Sequence, residues 1–98
     1  MLHRENGDPR VLSASSICGD PVVNDAGENL GQIEELMIDL ENGRVAYAVL
    51  SFGGFLGIGD KLVVLPYDQL KTMDRKIVMP GGTKDAVKDL PTFKYAPD

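Results

Sequence analysis

Few side chains in this sequence are of the types that carry enzyme chemistry. His3 is the only histidine among 98 residues, and Cys18 is the only cysteine. A zinc site takes about four His, Cys or carboxylate ligands, and a catalytic triad needs a nucleophile with a base beside it. His3 stands alone in a polar leader, and no base lies near Cys18 in the sequence. We predict that His3 is a surface residue and that Cys18 is a small buried one.

Acidic residues are concentrated in the first half of the chain. Residues 1–50 hold nine acidic and three basic side chains, whereas residues 51–98 hold six acidic and seven basic ones. Such a half repels nucleic-acid phosphates and anionic membranes, so we expect neither as a partner. The carboxylates are predicted to form a solvated face of the protein. Two alternative roles for this face are a docking surface for a basic partner and a weak divalent-cation site. This acidic surface comprises Glu34, Glu35, Asp39 and Glu41.

These carboxylates do not form a catalytic pair in the sequence. Glu34 and Glu35 are neighbours on a predicted strand and point to opposite faces, which separates their carboxylates. Asp39 precedes Asn42-Gly43, where its side chain is expected to shape a turn by accepting hydrogen bonds from backbone amides. The acidic spacing does not match a calcium-binding EF-hand loop. The chain is therefore predicted not to be an enzyme and to need no cofactor or metal.

A glycine-rich loop follows at residues 53–59. Its pattern, G-G-x-x-G-x-G, matches neither a dinucleotide-binding nor a P-loop motif, and it leads into a strand instead of a helix. Its large apolar side chains either fold back to plug the end of the fold or form an exposed patch for a partner. The predicted partner or dimer interface comprises Phe52, Gly53, Gly54, Phe55, Leu56, Gly57 and Ile58.

The elements that would position these residues are mostly strands. Residues 30–40 also fit a helical apolar spacing, but Asn42-Gly43 is a strong hairpin signal and favours a strand on each side. A change of parity among the apolar residues of 30–40 predicts a β-bulge. Ser13, Ser15 and Ser16 predict a short capped turn before Ile17. Strands are predicted at 21–24 (an edge strand), 30–40, 45–52, 61–66 and 76–79, and a helix capped by Thr83 and ended by Pro91 is predicted over 83–90.

Length and pattern together predict one all-β domain. About five to six short strands in 98 residues bury their apolar faces most economically as a small, strongly bent β-barrel, here with a short C-terminal helix. We expect a flexible polar leader at 1–10, the domain at 11–91 and a C-terminal tail at 92–98. The longest apolar run is far below the ~18 residues of a membrane span, and a lone thiol suits a reducing cytoplasm.

Several segments, in this order and spacing, resemble the PRC-barrel domain family. They are residues 19–24 (GDPVVN), 27–34 (GENLGQIE), 38–39 (ID), 43–54 (GRVAYAVLSFGG) and 59–61 (GDK). The resemblance covers residues 12–90 and implies a small, strongly bent β-barrel. It is similar to the stand-alone members of the family, and we expect neither the membrane helix of a reaction-centre H subunit nor the second domain of a ribosome-maturation factor. The family has no shared set of catalytic residues to carry over.

The sequence thus predicts a cytoplasmic, non-catalytic interaction or assembly module. We expect it to bind itself as a homodimer, another protein, or both, through the glycine-rich loop and a strand edge supplied by the hairpin 30–52. The alternative is a domain that binds a small molecule or metal ion in the barrel mouth or on its acidic half.

Overall fold

The predicted strand–turn–strand segment forms the centre of the fold. The computed structural model of the protein describes residues 12–53, 60–73 and 76–96. Strands β2 (Asn29–Asp39) and β3 (Arg44–Gly53) pair antiparallel along most of their lengths. The strand prediction for 30–40 is confirmed, and the competing helix is excluded.

Four further strands extend this hairpin on both sides. They are β1 (Pro21–Val23), β4 (Asp60–Pro66), β5 (Lys71–Met73) and β6 (Lys76–Val78), and the sheet order is β4-β3-β2-β1-β6-β5. β1 lies inside the sheet, so its prediction as an edge strand was wrong. Its proline is tolerated because it occupies the first strand position. β5 was not predicted, and all three of its residues are exposed.

β2 is irregular, as its parity change predicted. Its pairing with β3 shifts register twice, between Ile33 and Glu35 and between Met37 and Ile38. The first shift lets Ile33 and Leu36 both reach the core, although a regular strand would place residues three apart on opposite faces. The bulge prediction is therefore confirmed, with a second irregularity that the pattern did not reveal.

One core cluster is shared by both ends of the sheet. Val63 and Leu65 from β4 and Ile77 from β6 belong to the same cluster as the fully buried Ile33 and Leu50. The sheet must therefore curve strongly to bring its two sides together. Within the described residues the sheet has free edges at β4 and β5, so it is open and curved and not closed. The predicted all-β class is confirmed.

Two short helices lie at the ends of the described chain. Helix α1 (Ala14–Ile17) occupies the predicted serine-rich turn, although its N-cap residue Ser13 makes no side-chain cap. Helix α2 (Lys84–Lys88) begins as predicted, because the Thr83 hydroxyl oxygen accepts a hydrogen bond from the Ala86 amide at 3.0 Å. Val87 points from α2 into the core.

The segment after α2 runs along the outer edge of β4. The amide of Val64 donates to the Pro91 carbonyl at 2.8 Å, and the amide of Phe93 donates to the Leu62 carbonyl at 2.9 Å. The Phe93 and Tyr95 rings meet edge to face, with their centroids 4.9 Å apart. This segment therefore covers part of the β4 edge and leaves fewer backbone groups available for pairing with another chain.

Asn24 is a buried polar residue that organises the turn between β1 and β2. Its Oδ1 accepts hydrogen bonds from the amides of Ala26 at 3.0 Å and Glu28 at 2.9 Å, and its Nδ2 donates to Glu28 Oε1 at 2.9 Å. The adjacent Asp25 carboxylate accepts from the Gly81 amide at 2.7 Å and so joins this turn to the one before α2. The Asn24 side chain thus supplies the hydrogen-bond acceptor for two amides of the turn, in place of a backbone carbonyl.

We expect Asn24→Ala to lower the free energy of unfolding by about 1–3 kcal/mol, because it removes the part-buried hydrogen bonds of a buried side chain and leaves the amides of Ala26 and Glu28 without their acceptor. Chemical denaturation measures this loss. The matched control is Asn29→Ala, which removes one exposed hydrogen bond to the Gly31 amide and should cost less. Equal losses in the two variants would contradict the role assigned to Asn24.

Candidate functional site

The far end of the β2–β3 hairpin projects beyond the strands on either side of it. β1 pairs with β2 only as far as Gln32, and β4 pairs with β3 only from Tyr47 onward. Residues 34–46, here called the distal hairpin, thus have no other strand beside them in the described chain. The rest of the hairpin lies inside the sheet, so only this part of the segment 30–52 can supply the predicted strand edge.

The distal hairpin carries exposed apolar side chains beside carboxylates. Leu40 is 90% exposed and Ile38 is 53% exposed. Asp39 and Glu41 stand next to them, and no basic residue precedes Arg44 in this segment. The end of the hairpin therefore presents both apolar surface and negative charge.

Asp39 shapes the turn, as predicted. Its Oδ1 accepts hydrogen bonds from the amides of Glu41 at 3.0 Å and Asn42 at 3.2 Å, and its Oδ2 accepts from the Asn42 side chain at 2.7 Å. These bonds with Asn42 are the main reason that the pKa of Asp39 is lowered. The loop between the strands has four residues instead of the two typical of Asn-Gly, and Gly43 closes it at φ +64°.

Glu34 and Glu35 lie at the first register shift of β2, near Cys18. The Cys18 thiol is half-buried against the core, and burial, followed by the carboxylates of Glu35 and Glu34, raises its pKa. Desolvation and the same two carboxylates also raise the pKa of the Tyr95 phenol. The thiol therefore stays protonated near neutral pH, as expected for a residue that is not a nucleophile.

A groove lies at the opposite end of the hairpin. It has a volume of about 570 Å³ and runs between α2 and the strand ends of β1, β2 and β3. Leu30, Phe52 and Val87 provide apolar wall, and Lys84 and Lys88 lie along its helical side. Its size falls in the range of roughly 300–1,000 Å³ that is typical of ligand pockets.

A third lysine lies next to two of the residues that line this groove. The Lys61 ammonium donates a hydrogen bond to the Lys88 carbonyl at 3.1 Å and lies 5.8 Å from the centroid of the Phe52 ring. A cation at this distance from an aromatic face is attracted by the ring. Lys61 thereby ties β4 to α2 across the Phe52 wall and adds positive charge. We call this feature, with Lys61, Lys84 and Lys88, the lysine groove.

Backbone contact fixes the floor of the lysine groove. Gly31 has φ +133°, and a Cβ on it would overlap the Ser51 carbonyl oxygen and come within 3.0 Å of the Phe52 Cβ. Only glycine therefore lets β2 approach β3 this closely beside Phe52.

The structure separates the two interfaces that the sequence predicted. The acidic residues lie along the distal hairpin and the adjoining bulge, whereas Phe52 and Gly53 lie at the other end of β3. Phe52 is half-buried against the core, and Gly53 is exposed. His3 and five members of the predicted loop interface lie outside the described residues; the latter are Gly54, Phe55, Leu56, Gly57 and Ile58.

Sequence patterns did not identify the lysine groove. Its lysines come from β4 and α2, and its walls come from three other segments, so nothing in local spacing connects them. The excess of basic over acidic residues in the second half was the one available signal. Across residues 12–53, 60–73 and 76–96, no cluster of three or more His, Cys, Asp or Glu is placed to bind a metal ion. Within these same ranges, no helix has the length and apolarity to cross a bilayer.

We expect the contribution of Asp39 to stability to depend on pH. Because its pKa is lowered in the folded state, its stabilisation is complete above the unfolded value of about 3.9 and is lost as the pH falls through the folded value. Unfolding free energies measured between pH 6 and pH 2 should therefore fall less steeply in Asp39→Asn than in the wild type. Glu41→Gln, which removes a neighbouring carboxylate but keeps the Glu41 amide bond to Asp39, is the control. A slope in Asp39→Asn no shallower than in this control would contradict the role assigned to Asp39.

We expect Cys18 to react slowly with iodoacetamide at neutral pH, because only its thiolate is nucleophilic. Glu35→Gln removes one of the charges that raise its pKa and should speed alkylation. Glu41→Gln removes a charge on the distal hairpin and serves as the control. An unchanged rate in Glu35→Gln, with the fold intact by circular dichroism, would show that this carboxylate does not influence the thiol.

The fold, together with a comparison of the sequence with known proteins and protein families, identifies the family of this chain. Comparison with the curated proteins finds no match. The family model described as the PRC-barrel domain matches residues 9–86, which include all six strands and the beginning of α2. That match covers most of the chain and agrees with the resemblance seen in its glycine and hairpin segments. The chain therefore belongs to the PRC-barrel domain family, a family of generally non-catalytic barrel modules.

Proposed function

We propose that this protein is a non-catalytic, cytoplasmic assembly module that forms a homodimer through its distal hairpin. One observation carries the proposal: the hairpin extends past its neighbouring strands and exposes Leu40 at its end, with Ile38 beside it. Burial of a leucine side chain contributes about 1.5–3 kcal/mol. In a twofold dimer both copies bury their leucine, so this contribution is made twice.

The contact is made by side chains and not by strand addition. The free edge of β2 carries Glu34 and Glu35 at a register shift, and both charges and irregular pairing oppose the approach of a second strand. Two copies of this edge would also bring like charges together. The β4 edge is partly covered by residues 91–93, and β5 is a three-residue edge that includes Lys71. The apolar end of the hairpin therefore supplies the contact.

A hairpin end alone is too small to hold two copies together. Stable interfaces bury about 1,200–2,000 Å² of surface in total, and one turn with two apolar side chains provides only part of this. The distal hairpin must therefore meet a complementary surface of the second copy. We expect an association that depends on protein concentration. Its dissociation constant should be larger than that of an obligate dimer.

The test compares Leu40→Ser with the wild type by sedimentation equilibrium over a wide range of protein concentration. The wild type should associate, and Leu40→Ser should raise the dissociation constant about tenfold or more, because a buried leucine contact is lost from each copy.

Met73→Ser is the matched control. Met73 is also an exposed apolar residue, 53% exposed on the edge strand β5, and its replacement should leave association unchanged. A wild type that stays monomeric at every concentration would refute the homodimer. Equal weakening by the two substitutions would show that the distal hairpin has no special part in it.

A further inference from the structure

The lysine groove concentrates positive charge in a protein with a net charge of −5. Lys84 and Lys88 line it, and Lys61 is fastened beside them by its hydrogen bond to the Lys88 carbonyl. The nearest charge partner shown for Lys88 is Asp85, at 4.0 Å, and the side chain of Asp85 is 93% exposed. An exposed pair at this distance contributes little, so the positive charge of the groove remains available to an occupant.

The lysine groove also offers an occupant some apolar surface. Among its apolar lining residues, Phe52 is half-buried, whereas Leu30 and Val87 are almost fully buried behind it. A purely ionic occupant would leave this apolar surface wet, and a purely apolar one would leave the ammonium groups without a partner. The fitting ligand therefore places an apolar side chain between carboxylates.

The distal hairpin has this chemistry. Leu40 stands between Asp39 and Glu41 at the end of a projecting hairpin, and Ile38 adds a second exposed apolar side chain. The Asp39 hydrogen bonds hold the turn in one conformation, so little conformational entropy is lost when it docks.

We propose that the distal hairpin of one copy docks in the lysine groove of a second copy, with Leu40 against the apolar wall and Glu41 facing Lys84 and Lys88. The proposal rests on the proposed homodimer and names the two surfaces that form it. The acidic end of one molecule thereby meets the lysines of the other, so the two end contacts join opposite charges.

The positions of the two surfaces permit a closed dimer. The lysine groove lies beside the start of β2, and the turn follows its end, so the 11 residues of β2 separate them by up to roughly 35 Å. Two hairpins placed antiparallel bring each turn to the groove of the other copy. Both contacts are then identical and related by a twofold axis, which closes the assembly at two copies.

Charge reversal tests the pairing directly. The groove variant is Lys84→Glu with Lys88→Glu, and the hairpin variant is Glu41→Lys, which leaves the turn-forming Asp39 in place. Each alone places like charges in both contacts and should weaken self-association about tenfold or more in sedimentation equilibrium. An equimolar mixture should recover association, because both contacts of the mixed dimer then join opposite charges. One chain with all three substitutions should also recover it.

The control variant is Lys71→Glu with Lys76→Glu, which makes the same change of charge on β5 and β6, outside the lysine groove. Any change in its self-association should reflect only the changed net charge of the protein. Adding Glu41→Lys to this control variant should not restore association. Thermal melting of every variant establishes that the fold is retained.

Four results would overturn the docking. Association of the groove variant at wild-type strength, with the fold intact, would show that the lysines do not form the interface, although the homodimer itself would stand. Failure of the mixture to recover would exclude the pairing of Glu41 with these lysines. Open polymers in place of a dimer would exclude the twofold arrangement, and a monomeric wild type would remove the proposed function as well.

Discussion

The antiparallel pairing of β2 with β3 is the interaction on which the rest of this fold depends. Both strands supply fully buried side chains to the core, among them Ile33 and Leu50, and every other strand joins the sheet directly or indirectly through them. β1 attaches only near the start of β2, and β4 attaches only to the later part of β3. These offset attachments leave one end of the hairpin projecting and open a groove at the other end. Two surfaces of opposite charge thus result from one constraint on pairing.

Much of this architecture could be predicted from the sequence, because the relevant signals are local. Asp39 with Asn42-Gly43 indicated the hairpin, the parity change in β2 indicated a bulge, and Thr83 indicated the start of α2. The position of β1 inside the sheet could not be predicted, since its parallel pairing joins Val22 to Ile77, more than half the chain away. β5 gave no signal because its three residues are all exposed and show no apolar alternation. Asn24 was predicted as the last residue of the first strand, and only its burial and its side-chain hydrogen bonds reveal its role in the turn.

The candidate site shows the same division. The acidic residues of the distal hairpin are adjacent in the sequence and were identified there, together with the turn-forming role of Asp39. The lysine groove depends on α2 packing against strand ends and on Lys61 reaching from β4, which are tertiary contacts without a sequence pattern. Charge imbalance between the two halves was visible in the composition, but its meaning required knowing which end of the molecule each charge occupies.

The segment 91–93 on the β4 edge has a consequence for how the chain is made. Both β3 and β4 precede Pro91 and Phe93 in the chain, so the outer backbone groups of β4 stay uncovered until those two residues have been synthesised. Parallel pairing of β1 with β6 is similarly delayed until Ile77 is available. A nascent chain therefore carries open strand edges until both of these later segments have been synthesised. Premature termination just before Pro91 would release a protein with most of its core and an uncovered β4 edge, a form prone to pair with its own kind.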